Sequence, residues 1–131
     1  MNYFWAEKTK RETFIAHGEL LDLSSKDPLT GIFNRKRFDD VMEEWMHVSK
    51  KKGRPLSLIL FDIDDFKGIN DSYGHIVGDD VLKDIAATVS KSIRDTDVFA
   101  RWGGDEFVIL LPDTDLRQAE EMAAWVGACI A

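Results

Sequence analysis

Apolar residues recur along most of the chain at two spacings, and these spacings predict helices alternating with strands. Three stretches place an apolar side chain every three or four residues, which is typical of amphipathic helices: Asn34 to about Ser49, about Asp79 to Ile93, and about Asp115 to Ile130. Shorter apolar runs without that period predict buried strands: Leu56–Phe61, Val98–Ala100 and Phe107–Leu111. The order of these elements indicates a domain that mixes helices with a sheet.

The last two predicted strands are separated by Arg101–Glu106, which contains two glycines followed by two acids. Apolar runs on both sides of a Gly-Gly pair predict a β-hairpin. Glycine lets backbone N–H groups approach a ligand closely because it has no Cβ atom, and carboxylates are preferred ligands of hard divalent cations. The turn is therefore a candidate nucleoside triphosphate site, although the same residues are equally typical of a tight hairpin with solvated acids.

A second acidic segment, Asp62–Asp65, directly follows the predicted strand Leu56–Phe61. Acids next to a buried strand are costly unless they reach solvent or a cation. Ligands also commonly bind beyond the strand ends of open α/β sheets. We predict that Asp62 binds a metal, whereas Asp65 caps a short helix that begins near Phe66.

That short helix is predicted from Phe66 to Tyr73 and ends at Gly74, with a loop from His75 to Gly78 before the next helix. Within it, Lys67 and Asn70 are three residues apart and therefore share a face. This arrangement places a cation and a carboxamide on one side of the helix.

Residues 1–25 carry less information than the rest of the chain. Phe14–Leu23 can form an apolar helical stripe, interrupted by Gly18. A packed lead-in helix and the end of a signalling linker from an upstream module explain this pattern equally well. We therefore place the domain itself at residues 26–131.

Composition excludes several broad classes of protein. With 131 residues, of which 44% are hydrophobic and 31% charged, the chain is large enough for one soluble domain with its own core. A net charge of −7 argues against a general nucleic-acid binder, which would show a basic face. The single Cys129 cannot form an internal disulfide, and no apolar run reaches membrane-spanning length. These features predict a cytoplasmic domain without membrane contact in this segment, whether or not it belongs to a larger protein.

The two acidic segments, at Asp62 and at Asp105–Glu106, can face each other if their strands are neighbours. Such a pair can hold two metal ions roughly 3.5–4 Å apart, which is the arrangement used for in-line phosphoryl transfer.

From Asp27 to about Ile130 the chain resembles the GGDEF family, the diguanylate cyclases. Four motifs carry the resemblance in the family's order and spacing: Asp27–Gly31 with Asn34-Arg35, Phe61–Lys67 with Asn70-Asp71, Gly74-His75 with Gly78-Asp79, and Gly103–Phe107. One such motif is moderately specific, whereas four in order are very specific. The resemblance implies an α+β fold with a central, mainly antiparallel sheet flanked by helices. That fold is similar to the ferredoxin-like palm of polymerases and nucleotide cyclases.

The resemblance also implies an activity, the condensation of two GTP into cyclic di-GMP and two pyrophosphates. It implies two Mg²⁺ or Mn²⁺ ions per active site. Because one site holds only half of the reactants, two copies of the domain would face each other in a homodimer.

Residue roles follow from the resemblance one position at a time. The metal-binding set is Asp62, Asp105 and the backbone carbonyl of Ile63, and Asp105 also matches the proposed base for the 3′-hydroxyl. Glu106 is a weaker candidate for either task. The other positions that match nucleotide-contacting residues are Lys67, His75, Gly103 and Gly104, although a lone histidine is more often structural.

Asn70 and Asp79 match the pair of residues that reads guanine in the family. Guanine presents N1–H and N2–H₂ donors, and a carboxylate is an acceptor only, so Asp79 can accept from both. Adenine would place a bare N1 lone pair against that carboxylate, and such a mismatch discriminates strongly. We therefore predict GTP rather than ATP as the substrate.

Arg94-Asp95-Thr96-Asp97 matches the family's RxxD inhibitory site. The match implies that Arg94 and Asp97 bind the guanines of the product, cyclic di-GMP, and so give feedback inhibition. The structural alternative is that Arg94 serves a helix C-terminus and Asp97 a turn.

The resemblance stops before the family's C-terminal part, which adds a further central strand and a Lys/Arg pair that grips phosphate. We therefore expect a C-terminally incomplete domain whose sheet has an unpaired edge. The alternative function is a non-catalytic signalling module that binds cyclic di-GMP or GTP. A dimerising scaffold without any ligand is less favoured.

Overall fold

The computed structural model describes residues 2–7 and 25–130, which form four strands and four helices. In chain order these are β1 (Asn2–Glu7), α1 (Arg35–Lys52), β2 (Leu56–Asp62), α2 (Phe66–Tyr73), α3 (His75–Ser92), β3 (Val98–Arg101), β4 (Glu106–Pro112) and α4 (Leu116–Ile130). The strands form one antiparallel sheet in the order β1-β2-β4-β3. The predicted α+β class is confirmed. None of the helices in the described ranges is long and apolar enough to cross a membrane.

Both faces of the sheet are buried, which explains why its central strands read as continuous apolar runs. On one face Phe61 of β2 and Phe107 of β4 stack with ring centroids 5.3 Å apart and pack beneath α3 and α4. On the other face Val108 belongs to a cluster with Phe38 of α1. Because successive strand residues point to opposite faces, neighbouring residues of β4 contribute to two different layers.

The ends of α1 carry the expected capping signals. Asn34 accepts a hydrogen bond from the backbone N–H of Arg37 at 2.9 Å, which satisfies one of the free donors of the first turn. At the other end Gly53 adopts φ 66°, and its N–H donates to the carbonyl of Ser49. This is the left-handed C-cap that glycine favours, and it ends the helix at Lys52 rather than at Ser49.

Two details at the ends of α2 differ from the prediction. Residues 75–78 are helical, since α3 begins at His75 and not near Asp79. Gly74, with φ 91°, makes the change of direction alone, so no loop is needed between the helices. Asp65 occupies the N-cap position of α2, but it has φ 53° and makes no side-chain capping hydrogen bond. Its predicted capping role is wrong.

β1 lies along β2 on the side away from β4, with Asn2 opposite Asp62 and Glu7 opposite Ser57. Within the described residues the sheet is open, as expected, with β1 and β3 as its edge strands and β2 paired on both sides. No pattern in the sequence predicted β1. The apolar stripe Phe14–Leu23 lies outside the described residues.

Candidate metal and nucleotide site

The end of β2 and the start of β4 bring two acids together. In the strand register Asp62 lies directly opposite Glu106, and the N–H of Ile63 donates to the carbonyl of Asp105 at 3.2 Å. That bond makes Ile63 and Asp105 the hydrogen-bonded pair. Asp62 and Glu106 are therefore the non-hydrogen-bonded pair, in which Cα atoms are about 4.5 Å apart. Two carboxylate side chains thus project from opposed positions on one face of the sheet.

This pair of acids is electrostatically unfavourable without a cation. Like charges directly opposite on neighbouring strands destabilise a sheet, and Oδ1 of Asp62 is buried without a hydrogen-bond partner. An unpartnered buried carboxylate oxygen costs free energy that contact with an ion would offset. Because Mg²⁺ prefers oxygen ligands, the residues present fit the implied divalent ion.

The protein supplies only part of a coordination shell. Within residues 2–7 and 25–130, no three His, Cys, Asp or Glu side chains come together as a group that would hold a metal. Proteins usually bind Mg²⁺ through one or two carboxylates, with waters and substrate phosphates completing the shell. The opposed acids therefore have the composition of an ion site that forms together with a phosphate ligand.

The turn between β3 and β4 is held in place by Arg101. Its guanidinium donates to the carbonyl of Gly103 at 3.2 Å and to that of Gly104 at 2.7 and 3.1 Å. Inside the turn, the N–H groups of Trp102 and Gly103 both donate to the carbonyl of Glu106, at 2.8 and 3.3 Å. Because the Gly103 N–H is engaged within the turn, the exposed Gly104 is the better placed of the two predicted phosphate contacts.

The two glycines of this turn differ in what surrounds them. A Cβ atom on Gly103 would lie 2.7 Å from Oε1 of Glu106, whereas one on Gly104 would meet nothing within 4 Å. Gly103 therefore leaves open the space over the turn into which the Glu106 carboxylate folds back. This steric role is not visible in the sequence.

Asp27 connects the loop before α1 to the same turn. Its carboxylate accepts two contacts of 3.2 Å from Arg101 and hydrogen bonds from the N–H and the hydroxyl of Thr30, at 2.9 and 2.7 Å. Both charged side chains are mostly buried, with 15% of Asp27 and 19% of Arg101 exposed. Burial opposes ionisation, but the Thr30 hydrogen bonds and the charge of Arg101 outweigh it and lower the pKa of Asp27. The sequence marks Asp27 only as a motif residue, because its partner Arg101 lies 74 positions away.

The residues predicted to contact the nucleotide base and triphosphate lie on α2 and α3. Lys67 is exposed on α2, where Asn70 is half-buried. His75 and Asp79 are exposed in the first two turns of α3. The Asn70 side chain contacts the position of Gly78, the buried residue that precedes Asp79. The predicted guanine pair therefore comes from two helices that meet at this contact.

Arg94 and Asp97 lie at the end of β3 opposite the Gly-Gly turn, so they belong to a separate site. The Arg94 guanidinium contacts the Asp97 carboxylate at 2.7 Å, and the Arg94 N–H donates to it at 2.9 Å. The same guanidinium nitrogen also donates to the Pro112 carbonyl at 3.2 Å and to the Thr114 hydroxyl at 2.7 Å. The Asp97 side chain is fully buried while 47% of Arg94 is exposed, and the hydrogen bond that Arg94 donates to Asp97 raises the pKa of Arg94. Asp97 thus serves a turn, as the structural alternative predicted, whereas the Arg94 side chain contacts the end of β4 and the segment after it, and not a helix C-terminus.

A comparison with known protein families also points to a nucleotide site in this domain. The profile described as "Diguanylate cyclase, GGDEF domain" matches residues 24–131. The chain belongs to the GGDEF family.

Several GGDEF proteins are similar to this chain over most of its length. Diguanylate cyclase DgcP of Pseudomonas aeruginosa is 42% identical over 118 residues, which cover 88% of this chain and 18% of DgcP. The crystal structure of diguanylate cyclase SiaD with its activator SiaC, from the same species, matches with TM-score 0.78 and 36% identity over 85% of this chain and 44% of SiaD. The GGDEF domain of DgcB from Caulobacter crescentus, in complex with c-di-GMP, matches with TM-score 0.75 and 31% identity over 78% of this chain and 58% of that one. The chain spans less than two thirds of each of these proteins.

A cleft of about 290 Å³ lies beside Arg94 in this GGDEF domain. Lys26, Phe33 and Asp97 contribute to its lining, and the Lys26 ammonium lies 4.2 Å from the centroid of the Phe33 ring. Cations and an aromatic face suit a ligand that carries both phosphate and a planar base.

Proposed function

We propose that this GGDEF domain condenses two GTP into cyclic di-GMP and two pyrophosphates. The observation that carries the proposal is the opposition of Asp62 and Glu106 across β2 and β4, with an unpartnered buried oxygen on Asp62. Two opposed acids beside a turn that contains two glycines suit a metal-bound triphosphate, because the acids can hold the metal and the glycines let the phosphates come close to the backbone. Family membership and the similarity to named diguanylate cyclases support the same reaction.

In this proposal the opposed Asp62 and Glu106, with Asp105 of the adjoining turn and the carbonyl of Ile63, hold two Mg²⁺ or Mn²⁺ ions. When bound, the ions would neutralise the triphosphate and lower the pKa of the attacking hydroxyl. Asp105 accepts the proton from the 3′-hydroxyl of the other GTP, and Lys67 adds positive charge near the triphosphate. The register supports a larger part for Glu106 than the resemblance implied, because Glu106 is the residue directly opposite Asp62.

Selectivity for GTP is assigned to Asn70 and Asp79. The exposed Asp79 carboxylate is available to accept from guanine N1–H and N2–H₂. Replacing it with serine removes this acceptor, so Asp79→Ser should lower the ratio of GTP to ATP turnover by at least about 10-fold. A variant that still turned over only GTP would contradict the assignment.

The reaction requires two copies of the chain that face each other. Each site binds one GTP, so the 3′-hydroxyl of one nucleotide reaches the α-phosphate of the other only across a dimer. Activity per mole of protein should therefore rise with protein concentration. The oligomeric state is measured at the same concentrations by light scattering. Constant activity per mole in a chain that remains monomeric would contradict a two-copy mechanism.

Product inhibition is assigned to Arg94 and the cleft beside it. The exposed part of Arg94 carries donors for guanine or phosphate, and Lys26 and Phe33 contribute to the same cleft. Asp97 is a positioning residue in this proposal, because its buried carboxylate is already occupied by Arg94. Arg94 therefore makes the ligand contact and Asp97 orients it.

An arginine substitution with a matched control tests this assignment. Arg94→Ala should weaken cyclic di-GMP binding in calorimetry by at least about 10-fold, since charged hydrogen bonds are among the strong ones. Arg54→Ala removes an exposed arginine paired with Asp113 and should leave the affinity unchanged. Undiminished affinity in Arg94→Ala would refute product binding at this cleft.

One assay separates the proposed activity from the non-catalytic alternative. The full chain is incubated with Mg²⁺ and either GTP or ATP, and the products are resolved by chromatography. We expect cyclic di-GMP from GTP only, a loss of at least about 100-fold in Asp105→Asn, and full activity in the control Asp113→Asn, an exposed acid beyond β4. Binding of cyclic di-GMP without synthesis, at concentrations where dimers form, would identify a receptor module instead.

A further inference from the structure

Gly78 lies on α3 where this helix faces α2, and it is buried. A Cβ atom built at this position would overlap Oδ1 of Asn70 and lie 3.0 Å from its Cγ. The Asn70 carboxamide therefore occupies space that is open only because residue 78 has no side chain.

The backbone itself does not require glycine at this position. The described glycines with positive φ are Gly31, Gly53 and Gly74, and Gly78 is not among them. Its N–H donates to the Gly74 carbonyl at 3.1 Å, as an ordinary helical residue does. Because alanine has the higher helix propensity, the reason for a glycine here is space and not conformation.

The atoms that a methyl group would meet are mainly the end of one side chain. The Asn70 carboxamide can rotate away, and the nearest other atom is a ring carbon of Phe66 at 3.4 Å from the Cβ position. A methyl group at residue 78 would therefore displace the carboxamide and leave the two helices packed.

We infer that Gly78 is a positioning residue for guanine recognition: it lets the Asn70 carboxamide of α2 lie against α3, beside Asp79. Gly78 and Asp79 are consecutive, so their Cα atoms are about 3.8 Å apart. The carboxamide both donates and accepts, whereas the carboxylate only accepts. Together the Asn70 carboxamide and the Asp79 carboxylate match the edge of guanine, which carries both hydrogen-bond donors and an acceptor. This inference rests on the proposed function, in which the two residues read GTP.

Two glycine-to-alanine variants test the inference. Gly78→Ala adds the obstructing methyl group. Gly68→Ala is the matched control on α2, where a Cβ would be 2.6 Å from Cγ of Asp65, an exposed side chain to which we assign no nucleotide contact. The affinity for a non-hydrolysable GTP analogue with Mg²⁺ is measured by calorimetry, beside the melting temperature. We expect Gly78→Ala to bind about 10-fold more weakly and Gly68→Ala to bind within about twofold of the original chain, with both variants folded.

The same substitution in an Asn70→Ala background shows whether the effect passes through the carboxamide. With the carboxamide gone, Gly78→Ala should change the affinity by less than about twofold. Unaltered affinity in the single variant, or an equal loss in the Asn70→Ala background, would overturn the inference. Gly78→Ala is also compared by melting temperature with the double variant Asn70→Ala/Gly78→Ala. A melting temperature that falls in Gly78→Ala and recovers in the double variant supports the inference. A melting temperature that falls and does not recover places the clash on Phe66 and overturns the inference. Failure of the proposed function would look different, because the original chain would then show no preference for the GTP analogue over an ATP analogue.

Discussion

Substituting Asp27 with asparagine tests whether the loop before α1 stabilises the Gly-Gly turn through Arg101. Asparagine keeps the size of the side chain and an oxygen for Thr30, but it loses the charge that faces Arg101. Exposed ion pairs contribute about 0–1 kcal/mol, and breaking a buried pair costs about 3–5 kcal/mol. This pair is 15% and 19% exposed, and Arg101 retains the carbonyls of Gly103 and Gly104. We therefore expect the free energy of unfolding to fall by about 2–3 kcal/mol.

Urea denaturation at pH 7 measures this loss. With a slope of about 1.5–2 kcal/mol per molar, the midpoint should fall by about 1–2 M. Asp113→Asn is the control, because its pair with Arg54 is 3.5 Å long and 49% and 59% exposed, and it should cost less than about 0.5 kcal/mol. Equal shifts in the two variants would refute the argument that burial makes the Asp27 pair strong.

The pH dependence of the difference between the original chain and Asp27→Asn provides a second check. The folded protein lowers the pKa of Asp27 below its ordinary 3.8, so the ionised carboxylate is bound more favourably in the folded state. This contribution is fully present above pH 3.8 and is lost as the pH falls through the lowered folded pKa. The difference should stay constant from about pH 7 to pH 5 and narrow only below 3.8. A difference that closed between pH 7 and pH 5 would assign the effect to another group.

Three further predictions follow from burial and charge. Phe38→Ala should cost about 3–5 kcal/mol in urea titrations, because the ring is 0% exposed in the cluster beneath α1; a loss below 1 kcal/mol would contradict that packing. Asp62→Asn should raise the melting temperature in EDTA, since it removes repulsion worth about 0.2–1 kcal/mol with Glu106, and should abolish the stabilisation that Mg²⁺ and a GTP analogue give together; a lower melting temperature in EDTA would contradict the opposed charges. Arg94→Ala should have a free energy of unfolding about 3 kcal/mol lower than that of Arg94→Ala/Asp97→Ala, because the single variant leaves a buried carboxylate unpaired. Equal urea midpoints for the two variants would show that the buried Asp97 does not depend on Arg94.

Much of the local structure of this domain could be predicted from the sequence. The bounds of β2 and β4 were predicted to within one residue, and the Asn34 cap was confirmed. These features depend on apolar spacing and on capping residues a few positions away. The α2–α3 corner was predicted less well, because a single Gly74 with positive φ replaces a loop of several residues.

What the sequence determined by itself is therefore local: which segments form helices or strands, where acids and glycines follow them, and which family the motifs resemble. Tertiary structure alone decided which distant residues meet. It paired Asp62 with Glu106, joined Asp27 to Arg101 across 74 positions, and laid β1 along β2. The physical reason is that helix and strand patterns depend on near neighbours, whereas register and long-range ion pairs depend on packing free energy summed over whole elements. No short stretch of sequence contains that sum.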